Sequence, residues 1–461
     1  MIALTLAEVA DAVSGRLLGA DPAALVTGSV EFDSRLVGPG GLFVAFPGEK
    51  VDGHDYATVA LGAGAVAVLG TRPVDGVPMV LVDDALSAMA ALARAVVDRL
   101  PELTIVGLTG SSGKTTTKDM VGQVLAELGP TIAPAGSYNN ELGHPYTVLK
   151  AGTQTRFLVL EMGSRGIGHI RYLTEVARPS IGVVLNVGVA HIGEFGSQDA
   201  IALAKGELVE ALPKTGLAVL NADDPRVAAM AERTSARVVL VGEDPAADLR
   251  AGEITLDDRG RAAYTLVTPE GSARVQLAVS GRHQVGNSLA AGAVAREAGM
   301  ALSELAGALG RLRLVSTRRM DVFDRADGVT VIDDSYNANP ASTATALRAL
   351  AAMARGRRGI AVLGYMAELG EYERAGHEEV GRLAAELGVD LLVAVGDPAE
   401  SIHDGAVAVV SWGGKSVRVS EQEDAVALLR GELRAGDVVL VKGSRYRTWV
   451  VADQLRAEAA R

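Results

Sequence analysis

Short runs of aliphatic and β-branched residues recur along the chain and alternate with stretches of helical periodicity. The clearest runs are TIVGLTG, RFLVLEMG, IGVVLNVG, LAVLNADD, VTVIDDS, GIAVLGYM, DLLVAVGD and DVVLVKGS. This alternation predicts an α/β fold with parallel sheets covered by helices on both faces. Most runs end in a glycine or a polar residue, and the ligand crevice of an open parallel sheet lies beyond the carboxyl ends of its strands. We therefore expect functional residues at these strand ends.

Two changes of pattern divide the chain into three predicted domains. The first section has its own strands and turns and ends in the helical stretch SAMAALARAVVDRL. A second change lies around 314–320, where the helical SELAGALGRLRL gives way to RRMDVF and a new strand and helix series begins. Domains of ordinary size then span 1–102, 103–316 and 317–461. Within the middle domain, 244–275 is the most irregular part and predicts short strands and turns.

The composition favours a soluble globular protein that is not secreted and that handles small molecules. The chain is 48% hydrophobic and 22% charged, and no run approaches the roughly 18 apolar residues that span a bilayer. Its first residues, MIALTLAEVADAV, lack the basic segment of a secretion signal. The absence of cysteine excludes disulfides, zinc–thiolate sites and thiol nucleophiles. A net charge of −12 opposes binding to nucleic acid.

The loop after TIVGL has the composition of a phosphate-binding loop. It precedes the helical stretch KDMVGQVLAEL and consists of Gly110, Ser111, Ser112, Gly113, Lys114, Thr115 and Thr116. Glycines let the backbone wrap a phosphate, the helix N-terminus supplies N–H groups, Lys114 neutralises charge, and Thr115 can ligate magnesium. Strict P-loop spacing requires glycine where this chain has Leu108, so the match is to a shorter GxxGKT form. We interpret the loop as an ATP site; the alternative is a plain glycine turn before a helix.

Glu161 and His191 follow neighbouring strands of the same predicted sheet. Glu161 closes the apolar run FLVLE, while Asn186 and His191 follow VVL. A carboxylate and an imidazole at adjacent strand ends beside the phosphate loop favour a site for a second divalent ion. Taken singly, Glu161 is also consistent with a structural acid and His191 with a hydrogen-bonded loop histidine.

Lys205 lies on the apolar face of a predicted helix. The segment QDAIALAKGELVEALP is amphipathic, and its apolar stripe consists of Ile201, Ala204, Leu208, Ala211 and Leu212. Lys205 falls on this stripe, four residues after Ile201 and three before Leu208. A charged and unpaired ammonium held there would cost several kcal/mol, so the side chain either extends to solvent or has a chemical role. The residues alone leave both interpretations open.

An ordered series of motifs over nearly the whole chain resembles that of the Mur ligases. The motifs are TGSSGKTTTKD, SYNNELGHP, EMGSRGIGHI, NVGVAHIGEFGS, AKGE, LNADDP, GRHQVGNSLAA, IDDSYNANPAS and LVKGSR. The resemblance implies three α/β domains: a small N-terminal UDP-sugar-binding domain, a central P-loop parallel-sheet ATPase domain and a C-terminal Rossmann-like domain. SYNNELGHP and DDSYNANP resemble members that add D-alanyl-D-alanine. The sequence lacks the Asp-Asn-Pro-Arg motif of members that add the third amino acid.

The resemblance implies ATP and two magnesium ions as cofactors. Lys114 would contact the ATP phosphates, and Thr115 and Glu161 would bind one magnesium. His191 would help to bind the second magnesium. AKGE resembles the site of the family's modified lysine, so Lys205 would be carbamylated and would bind magnesium through its carbamate oxygens.

Further nucleotide contacts are implied in the second half of the chain. His283 and Asn287 resemble the family's adenine-side pair, although both are also suited to cap the helix NSLAAGAVAREA. Arg319 and Asp334 resemble groups of the last domain that reach the nucleotide when the domains close; the alternative is that each is an ordinary surface charge. The last domain is therefore expected to close over ATP.

The substrate contacts implied by the resemblance are spread over all three domains. Ser34 and Arg35, with the later stretch DGH at 52–54, resemble a uridine-nucleotide platform, and the forked guanidinium of Arg35 suits a diphosphate. The muramoyl substrate would contact Asn139 and Asn140. The incoming dipeptide would lie beside Asn337 and Asn339. Asp-Ser-Arg and Asn-Pro also occur in ordinary solvated turns.

The implied reaction joins D-alanyl-D-alanine to a UDP-N-acetylmuramoyl-tripeptide in peptidoglycan synthesis. The terminal carboxylate of the tripeptide attacks the γ-phosphate of ATP, and the dipeptide amine then attacks the acyl-phosphate. We expect a cytoplasmic monomer without a nucleic-acid partner. Two alternatives are a related ligase with another amino-acid acceptor and a switch protein that hydrolyses ATP only to change shape. The sequence does not specify whether the third residue of the tripeptide is lysine or diaminopimelate.

Two positions depart from the pattern of the family. Tyr365 stands where the family's LGDMAELG has an aspartate, and the bulky stretch Tyr446–Trp449 follows KGSR in place of small residues. Both lie in the last predicted domain, so they bear on dipeptide binding and not on the phosphate chemistry.

Overall fold

The computed structural model describes residues 1–48, 51–188, 192–443 and 447–459. Its large sheets have five, nine and six strands and follow one another along the chain, each with its own helices. This arrangement confirms the predicted fold class of three α/β domains. The predicted boundaries after 102 and 316 lie in segments between the sheets.

The first domain is a small sheet with three helices. Its strands are β1 Leu4–Thr5, β2 Arg16–Leu18, β3 Leu25–Val26, β4 Val30–Glu31, β5 Gly41–Val44, β6 Ala65–Gly70 and β7 Met79–Leu81. Its helices are α1 Leu6–Ala12, α2 Ala57–Gly62 and α3 Ala85–Asp98. The five-stranded sheet has the order β2-β7-β6-β5-β4, and β1 pairs with β3. Helix α1 begins with a capping box, because Thr5 and Glu8 each bond the other's backbone N–H.

The middle domain is built on the nine-stranded sheet. Its strands are β8 Thr104–Thr109, β9 Thr131–Ile132, β10 Phe157–Glu161, β11 Ile181–Val184, β12 Leu217–Asn221, β13 Arg237–Gly242, β14 Leu249–Leu256, β15 Arg261–Thr268 and β16 Gly271–Ser280. Its helices are α4 Lys114–Ala126, α5 Gly143–Val148, α6 His169–Val176, α7 Ile192–Phe195, α8 Gln198–Glu210, α9 Pro225–Ala228, α10 Gln284–Glu297 and α11 Leu302–Gly310. The strand order is β16-β15-β14-β13-β12-β11-β8-β10-β9, parallel from β9 to β14.

The prediction of short strands and turns for 244–275 was wrong. This segment forms β14, β15 and the start of β16, which are the longest strands of the sheet and run antiparallel to one another. Buried Ala262, Tyr264 and Leu266 alternate with less buried neighbours in β15. One face therefore packs on α10 and α11, and the polar outer face is what made the segment look irregular.

The third domain is the six-stranded sheet with five helices. Its strands are β17 Asp321–Asp324, β18 Thr330–Asp333, β19 Gly359–Gly364, β20 Leu391–Val395, β21 Lys415–Val419 and β22 Val438–Lys442. Its helices are α12 Pro340–Met353, α13 Glu373–Glu386, α14 Glu400–Val407, α15 Gln422–Glu432 and α16 Trp449–Ala459. The order is β17-β18-β22-β19-β20-β21, and only β17 is antiparallel to its neighbour.

Apolar clusters lie on both faces of the middle and third sheets, as the strand runs predict. The core of the first domain continues into one face of the middle sheet, because α3 packs against α5 and α6. The carboxyl ends of β8, β10, β11 and β12 remain uncovered by this packing and face the site described below. Among the described residues, no helix is long and apolar enough to cross a membrane.

Candidate active site

The loop from Gly110 to Thr116 joins the carboxyl end of β8 to α4. Helix α4 begins after Gly113, whose φ of +80° lies in the left-handed region that glycine tolerates. A side chain at this position would also be obstructed, because its Cβ would lie 2.9 Å from Oδ1 of Asn287. The first turn of α4 thus presents free N–H groups at a loop shaped for an anion.

Asn186, which follows β11, holds this loop in place. Its Oδ1 accepts the Ser112 N–H at 2.9 Å, its Nδ2 donates to the Ser112 carbonyl at 3.1 Å, and its own carbonyl accepts the Ser111 N–H at 3.1 Å. The Ser111 hydroxyl accepts the Gly188 N–H at 2.9 Å. Two strand ends therefore fix the backbone of the loop before any ligand binds.

Lys114 lies in the wall of the cavity enclosed by this loop. Its Nζ donates to the Gly110 carbonyl at 2.8 Å. Burial lowers the pKa of Lys114, the Glu161 carboxylate partly offsets this, and Arg319 lowers the pKa further. Among the described residues, the hydrogen-bond partner of this lysine is a neutral carbonyl of its own loop, which a phosphate oxygen can replace.

Glu161 ends β10 and is buried under three donors. Its Oε2 accepts from the Thr115 hydroxyl at 2.9 Å, and its Oε1 accepts from the Ser137 hydroxyl and from Asn139 Nδ2, both at 2.7 Å. These bonds hold a carboxylate and the Thr115 hydroxyl side by side at the phosphate loop. They also place Asn139, a predicted substrate contact, directly against Glu161.

Lys205 is buried in α8, with 5% of its surface exposed. Burial, and to a smaller extent the charge of Lys114, lowers the pKa of Lys205 well below its ordinary value. No acidic side chain among the described residues opposes this shift. The interpretation in which the side chain extends to solvent is therefore wrong, and the amine faces the same cavity as Lys114.

The third domain contacts the phosphate loop directly. Nη2 of Arg319 donates to the Thr115 hydroxyl at 3.2 Å, and its guanidinium carbon lies 3.9 Å from the ring centre of Tyr336. A second contact brings α7 against the third domain, where a Cβ on Gly193 would lie 2.6 Å from the backbone nitrogen of Gly370. The middle and third domains thus touch at two places, the phosphate loop and helix α7.

A single cavity of about 1010 Å³ joins most of the predicted site residues. Those that line it are Gly110, Ser111, Ser112, Gly113, Lys114, Thr115, Thr116, Asn139, Asn140, Glu161, Lys205, His283, Asn287, Arg319, Asp334, Asn337 and Asn339. His191 was predicted beside them and lies outside the described residues. Residues as far apart in sequence as Gly110 and Asn339 therefore line one cavity.

Comparison with known proteins agrees with this geometry. Models of the Mur ligase family match the chain at 28–99 (catalytic domain), 108–295 (middle domain) and 318–445 (glutamate ligase domain). The UDP-N-acetylmuramoyl-tripeptide--D-alanyl-D-alanine ligase of Mycobacterium tuberculosis is 49% identical over 99% of this chain and 98% of its own length. The protein of that name from Escherichia coli is 36% identical, with 96% of both chains covered.

This chain belongs to the Mur ligase family. Its structure is similar to a crystal structure of MurF from Acinetobacter baumannii, with a TM-score of 0.88 and 31% identity over 99% of this chain and 98% of the other. It is also similar to the MurF ligase of Thermotoga maritima in complex with ADP, with a TM-score of 0.81 and 29% identity over 94% and 98%.

In this Mur ligase, neither His283 nor Asn287 caps α10 with its side chain, although His283 occupies the N-cap position. Helix α10 begins at Gln284, so Asn287 lies inside it, and the His283 side chain makes no capping bond. Nδ1 of His283 is buried and has no hydrogen-bond partner among the residues that the structure describes, and burial lowers the pKa of His283 to about 4. Both residues line the cavity. Asn287 Nδ2 donates to Gln284 Oε1 at 2.8 Å, and Asn287 Oδ1 lies against Gly113 of the phosphate loop.

The predicted dipeptide and muramoyl contacts differ in how free their side chains are. Asn140 Oδ1 accepts the Gly143 N–H at 2.9 Å, and Asn339 Oδ1 caps α12 by accepting the Ser342 N–H at 2.9 Å. Asn337 is exposed on the cavity wall, and its carbonyl accepts from Lys442 Nζ at 3.0 Å. Asn337 thus has the freer side chain, and the Asn-Pro sequence serves as a helix start.

Asp334 and Lys442 form a buried pair behind this wall. Lys442 Nζ lies 2.5 Å from Asp334 Oδ2 and bonds no other carboxylate among the described residues. The pair joins the ends of β18 and β22. Asp334 is therefore not an ordinary surface charge, since its carboxylate is engaged in the cavity wall.

Ser34 and Arg35 lie apart from the cavity in the first domain. Arg35 is 85% exposed and forms a 2.6 Å ion pair with Asp33, which lowers the pKa of Asp33 to about 2. Ser34 is buried beneath it. A guanidinium on the surface is open to a ligand, and an exposed pair of this kind contributes little to stability.

The two departures from the family pattern have different surroundings. The Tyr365 hydroxyl donates to Glu373 at 2.5 Å and its ring stacks on His377, so this residue packs against α13 and does not line the cavity. Trp449 does line the cavity, where Arg318 lies over its ring. Tyr446 lies outside the described residues.

Sequence reasoning missed three groups that build the site. Asn186 was named at the end of its strand but given no role, and Ser137 was quoted only within a motif. Tyr336 was passed over although it precedes Asn337 directly. Asn186 could have been found from its position, because it follows a strand that ends beside the phosphate loop. Ser137 bonds Glu161, 24 residues away, and Asn186 bonds Ser112, 74 residues away. No local sequence pattern encodes such contacts.

Because His144 of α5 is buried, we expect the folded protein to lose stability at mildly acid pH. It is fully buried, and desolvation lowers its pKa to about 4, although the backbone of Leu173 and Glu161 partly offsets this. Above about pH 6.5 both folded and unfolded states are neutral; below it, only the unfolded state binds the proton until about pH 4. We expect His144 to remove roughly 2 kcal/mol of unfolding free energy at pH 5 relative to pH 7.5.

Urea unfolding at the two pH values measures this loss. His144→Leu should show a smaller drop between pH 7.5 and 5 than the unaltered protein. An equal drop in both proteins would assign the acid sensitivity to other groups.

Proposed function

We propose that this chain joins D-alanyl-D-alanine to a UDP-N-acetylmuramoyl-tripeptide, using ATP and an acyl-phosphate intermediate. The observation that carries the proposal is the convergence of Lys114, Glu161 and Arg319 on one cavity. Relatives named for this activity match the chain over almost its whole length, which supports the choice of substrates.

Lys114 and Arg319 would stabilise the phosphoryl transfer. The tripeptide carboxylate attacks the γ-phosphorus, and negative charge is spread over the phosphoryl oxygens. Lys114 and the first N–H groups of α4 would hold the phosphates from the middle domain, while Arg319 adds a second cation from the third domain. Arg319 is oriented in advance by Thr115 and Tyr336. Catalysis would rest on positioning and charge, without a protein nucleophile.

The residues present fit the first of the two proposed magnesium ions. Glu161 and Thr115 offer a carboxylate and a hydroxyl oxygen at the phosphate loop, and Mg²⁺ combines such oxygens with water and phosphate. Lys205, as a carbamate, and His191 would hold the second ion. When bound, the ions neutralise developing phosphate charge.

The third domain would bind the acceptor and exclude water. The dipeptide amine attacks the acyl-phosphate carbonyl, and inorganic phosphate leaves. Asn337 is the better candidate for contact with the dipeptide, because the side chain of Asn339 is engaged in capping α12. Closure of the domain would protect the acyl-phosphate from hydrolysis. We also propose that the enzyme acts as a monomer in the cytoplasm, where ATP is available.

Phosphate release under three conditions tests the proposal. The protein and MgATP are incubated with the UDP-tripeptide alone, with D-alanyl-D-alanine alone, and with both. We expect rapid release only with both substrates, together with formation of the UDP-pentapeptide. Release that ignores both substrates would favour the ATP-driven switch, and release with another amino-acid acceptor would favour a related ligase. Lysine- and diaminopimelate-containing tripeptides, compared in the same assay, identify the preferred third residue.

Glu161→Gln is expected to raise the magnesium concentration needed for half-maximal activity by at least about tenfold. The amide keeps the shape of the side chain, but it removes the charge that the ion requires and faces the Thr115, Ser137 and Asn139 donors. A magnesium titration measures the shift. Glu232→Gln, an exposed glutamate of the same domain, is the matched control. Identical titrations for both variants would refute the metal assignment.

Ligands are expected to make the particle more compact in solution. Solution scattering with a non-hydrolysable ATP analogue and both substrates should give a smaller radius of gyration than scattering without them, because Arg319 then has phosphates to bind. Arg319→Ala should weaken this compaction, whereas Arg348→Ala, an exposed arginine of α12, should retain it. Identical curves with and without ligands would argue for a rigid enzyme.

A further inference from the structure

The loop that carries Ser137 and Asn139 is held by a buried lysine. Lys118 of α4 is 2% exposed, and its Nζ donates to the carbonyls of Pro134 and Gly136, the latter at 3.0 Å. The same nitrogen lies 2.8 Å from Asp119 Oδ1. This lysine does not face the cavity. Its ammonium group therefore stabilises the backbone just before Ser137 and Asn139, the two residues of this loop that bond Glu161.

The linker between the middle and third domains is fastened to the same helix. Asp119 Oδ2 accepts the Ser316 N–H at 3.1 Å. One turn further along α4, the Gln123 amide bonds the Arg313 backbone twice, accepting its N–H at 2.9 Å and donating to its carbonyl at 3.0 Å. Up to Ser316 the linker is thus part of the middle domain.

The backbone becomes strained directly after Ser316. Arg318 and Met320 have φ angles of +60° and +54°, in the left-handed region that side chains other than glycine rarely adopt. The strained pair flanks Arg319, the residue that reaches Thr115. The anchored part of the linker therefore ends at Ser316, directly before the strained segment that carries Arg319.

One hydrogen bond connects the two attachments. The Ser316 hydroxyl accepts the Gly136 N–H at 3.0 Å. Helix α4, the loop at 134–139 and the linker thus form a closed ring of contacts, with Lys118 holding the loop and Asp119 holding the linker. The ring joins segments about 180 residues apart in sequence.

We propose that Lys118, Asp119 and Ser316 form a clamp that positions both Glu161 and Arg319. Through Gly136 the clamp sets the loop whose Ser137 and Asn139 orient the Glu161 carboxylate. Through Ser316 it fixes the end of the linker, and the segment that follows places Arg319 at the phosphate loop. The three side chains are positioning residues, and their effect on turnover rests on the proposed ligase function.

Ser316→Ala tests the clamp with the smallest change in volume. It removes the acceptor of the Gly136 N–H and leaves the backbone bond to Asp119. Ser316→Thr keeps the hydroxyl. Ser180→Ala is the matched control, because its hydroxyl also bonds the backbone, at Ile105, at the opposite end of the sheet. Hydrogen exchange is measured on the whole protein without ligands, so this readout does not depend on activity.

We expect Ser316→Ala to accelerate amide exchange in 134–140 about five- to tenfold, the effect of losing one hydrogen bond. The same variant should lower kcat by a similar factor, and Ser316→Thr should preserve both values. Unchanged exchange in 134–140, or equal acceleration by Ser180→Ala, would overturn the clamp. Faster exchange with unchanged kcat would overturn the positioning role.

The two proposals fail in distinguishable ways. If the unaltered protein does not ligate the two substrates, the proposed function is wrong. The exchange comparison between Ser316→Ala and Ser180→Ala would still decide whether the clamp exists.

Discussion

Lys205→Ala is expected to lose at least about 10²–10³-fold of its ligation rate, the range for removing one electrostatic stabiliser from an active site. The structure supplies the reason, because the amine is buried on α8 and faces the cavity beside Lys114. A free ammonium at this position would be desolvated, next to another cation, and without an acidic partner among the described residues. Such a group is costly unless it has a chemical role.

We propose that this role is carbamylation. Burial lowers the pKa of Lys205, so the amine is more often neutral, and only the neutral amine attacks carbon dioxide. The nitrogen forms a bond to the carbon of CO₂ and releases one proton, which gives a carbamate anion. The carbamate replaces a buried cation by two oxygens suited to magnesium.

Chemical rescue and NMR test this modification separately. Acetate or another small carboxylate should restore part of the Lys205→Ala activity, whereas Lys205→Arg should not recover, because a guanidinium stays protonated. In ¹³C-bicarbonate the unaltered protein should show a carbamate resonance that Lys205→Ala lacks. Lys214→Ala, at an exposed lysine, is the control and should retain both resonance and turnover. Full turnover by Lys205→Ala would refute the proposed role of the Lys205 carbamate.

Lys114→Ala should abolish turnover, with a loss of at least about 10³-fold, while the protein stays folded. Within the described part of the chain, the Lys114 side chain bonds the carbonyl of Gly110 and no other group, so its removal leaves the core and the Asn186 contacts intact. In the transition state the same nitrogen would lie against phosphate oxygens, and a positive charge has its largest effect there if the third domain excludes water as proposed.

Two measurements separate this role from packing. Phosphate release in the presence of both substrates should vanish for Lys114→Ala, and thermal unfolding should stay within a few degrees of the unaltered protein. Lys114→Met, which restores the length of the side chain without its charge, should be equally inactive. Near-normal release by either variant would mean that the loop does not bind the transferred phosphate.

The amino-acid sequence by itself determined the fold class, the phosphate loop and the family. These features are local or ordered along the chain: hydrophobic runs predict strands, the GxxGKT segment lies between a strand and a helix, and the motifs occur in series. Helix α8 was also predictable, because its stripe has the helical period. The same reasoning failed at 244–275, where a polar face hid three long antiparallel strands.

Only the tertiary structure decided which side chains meet. Periodicity placed Lys205 on an apolar stripe, but its burial depends on the elements packed around α8. Arg319 reaches Thr115 from 204 residues away, and the Ser316 bond to Gly136 joins two irregular segments. Such contacts depend on how the domains pack and on individual rotamers, and neither of these produces a periodic pattern in the sequence. The chemistry of the site was therefore readable from residue types, whereas its geometry came from long-range packing.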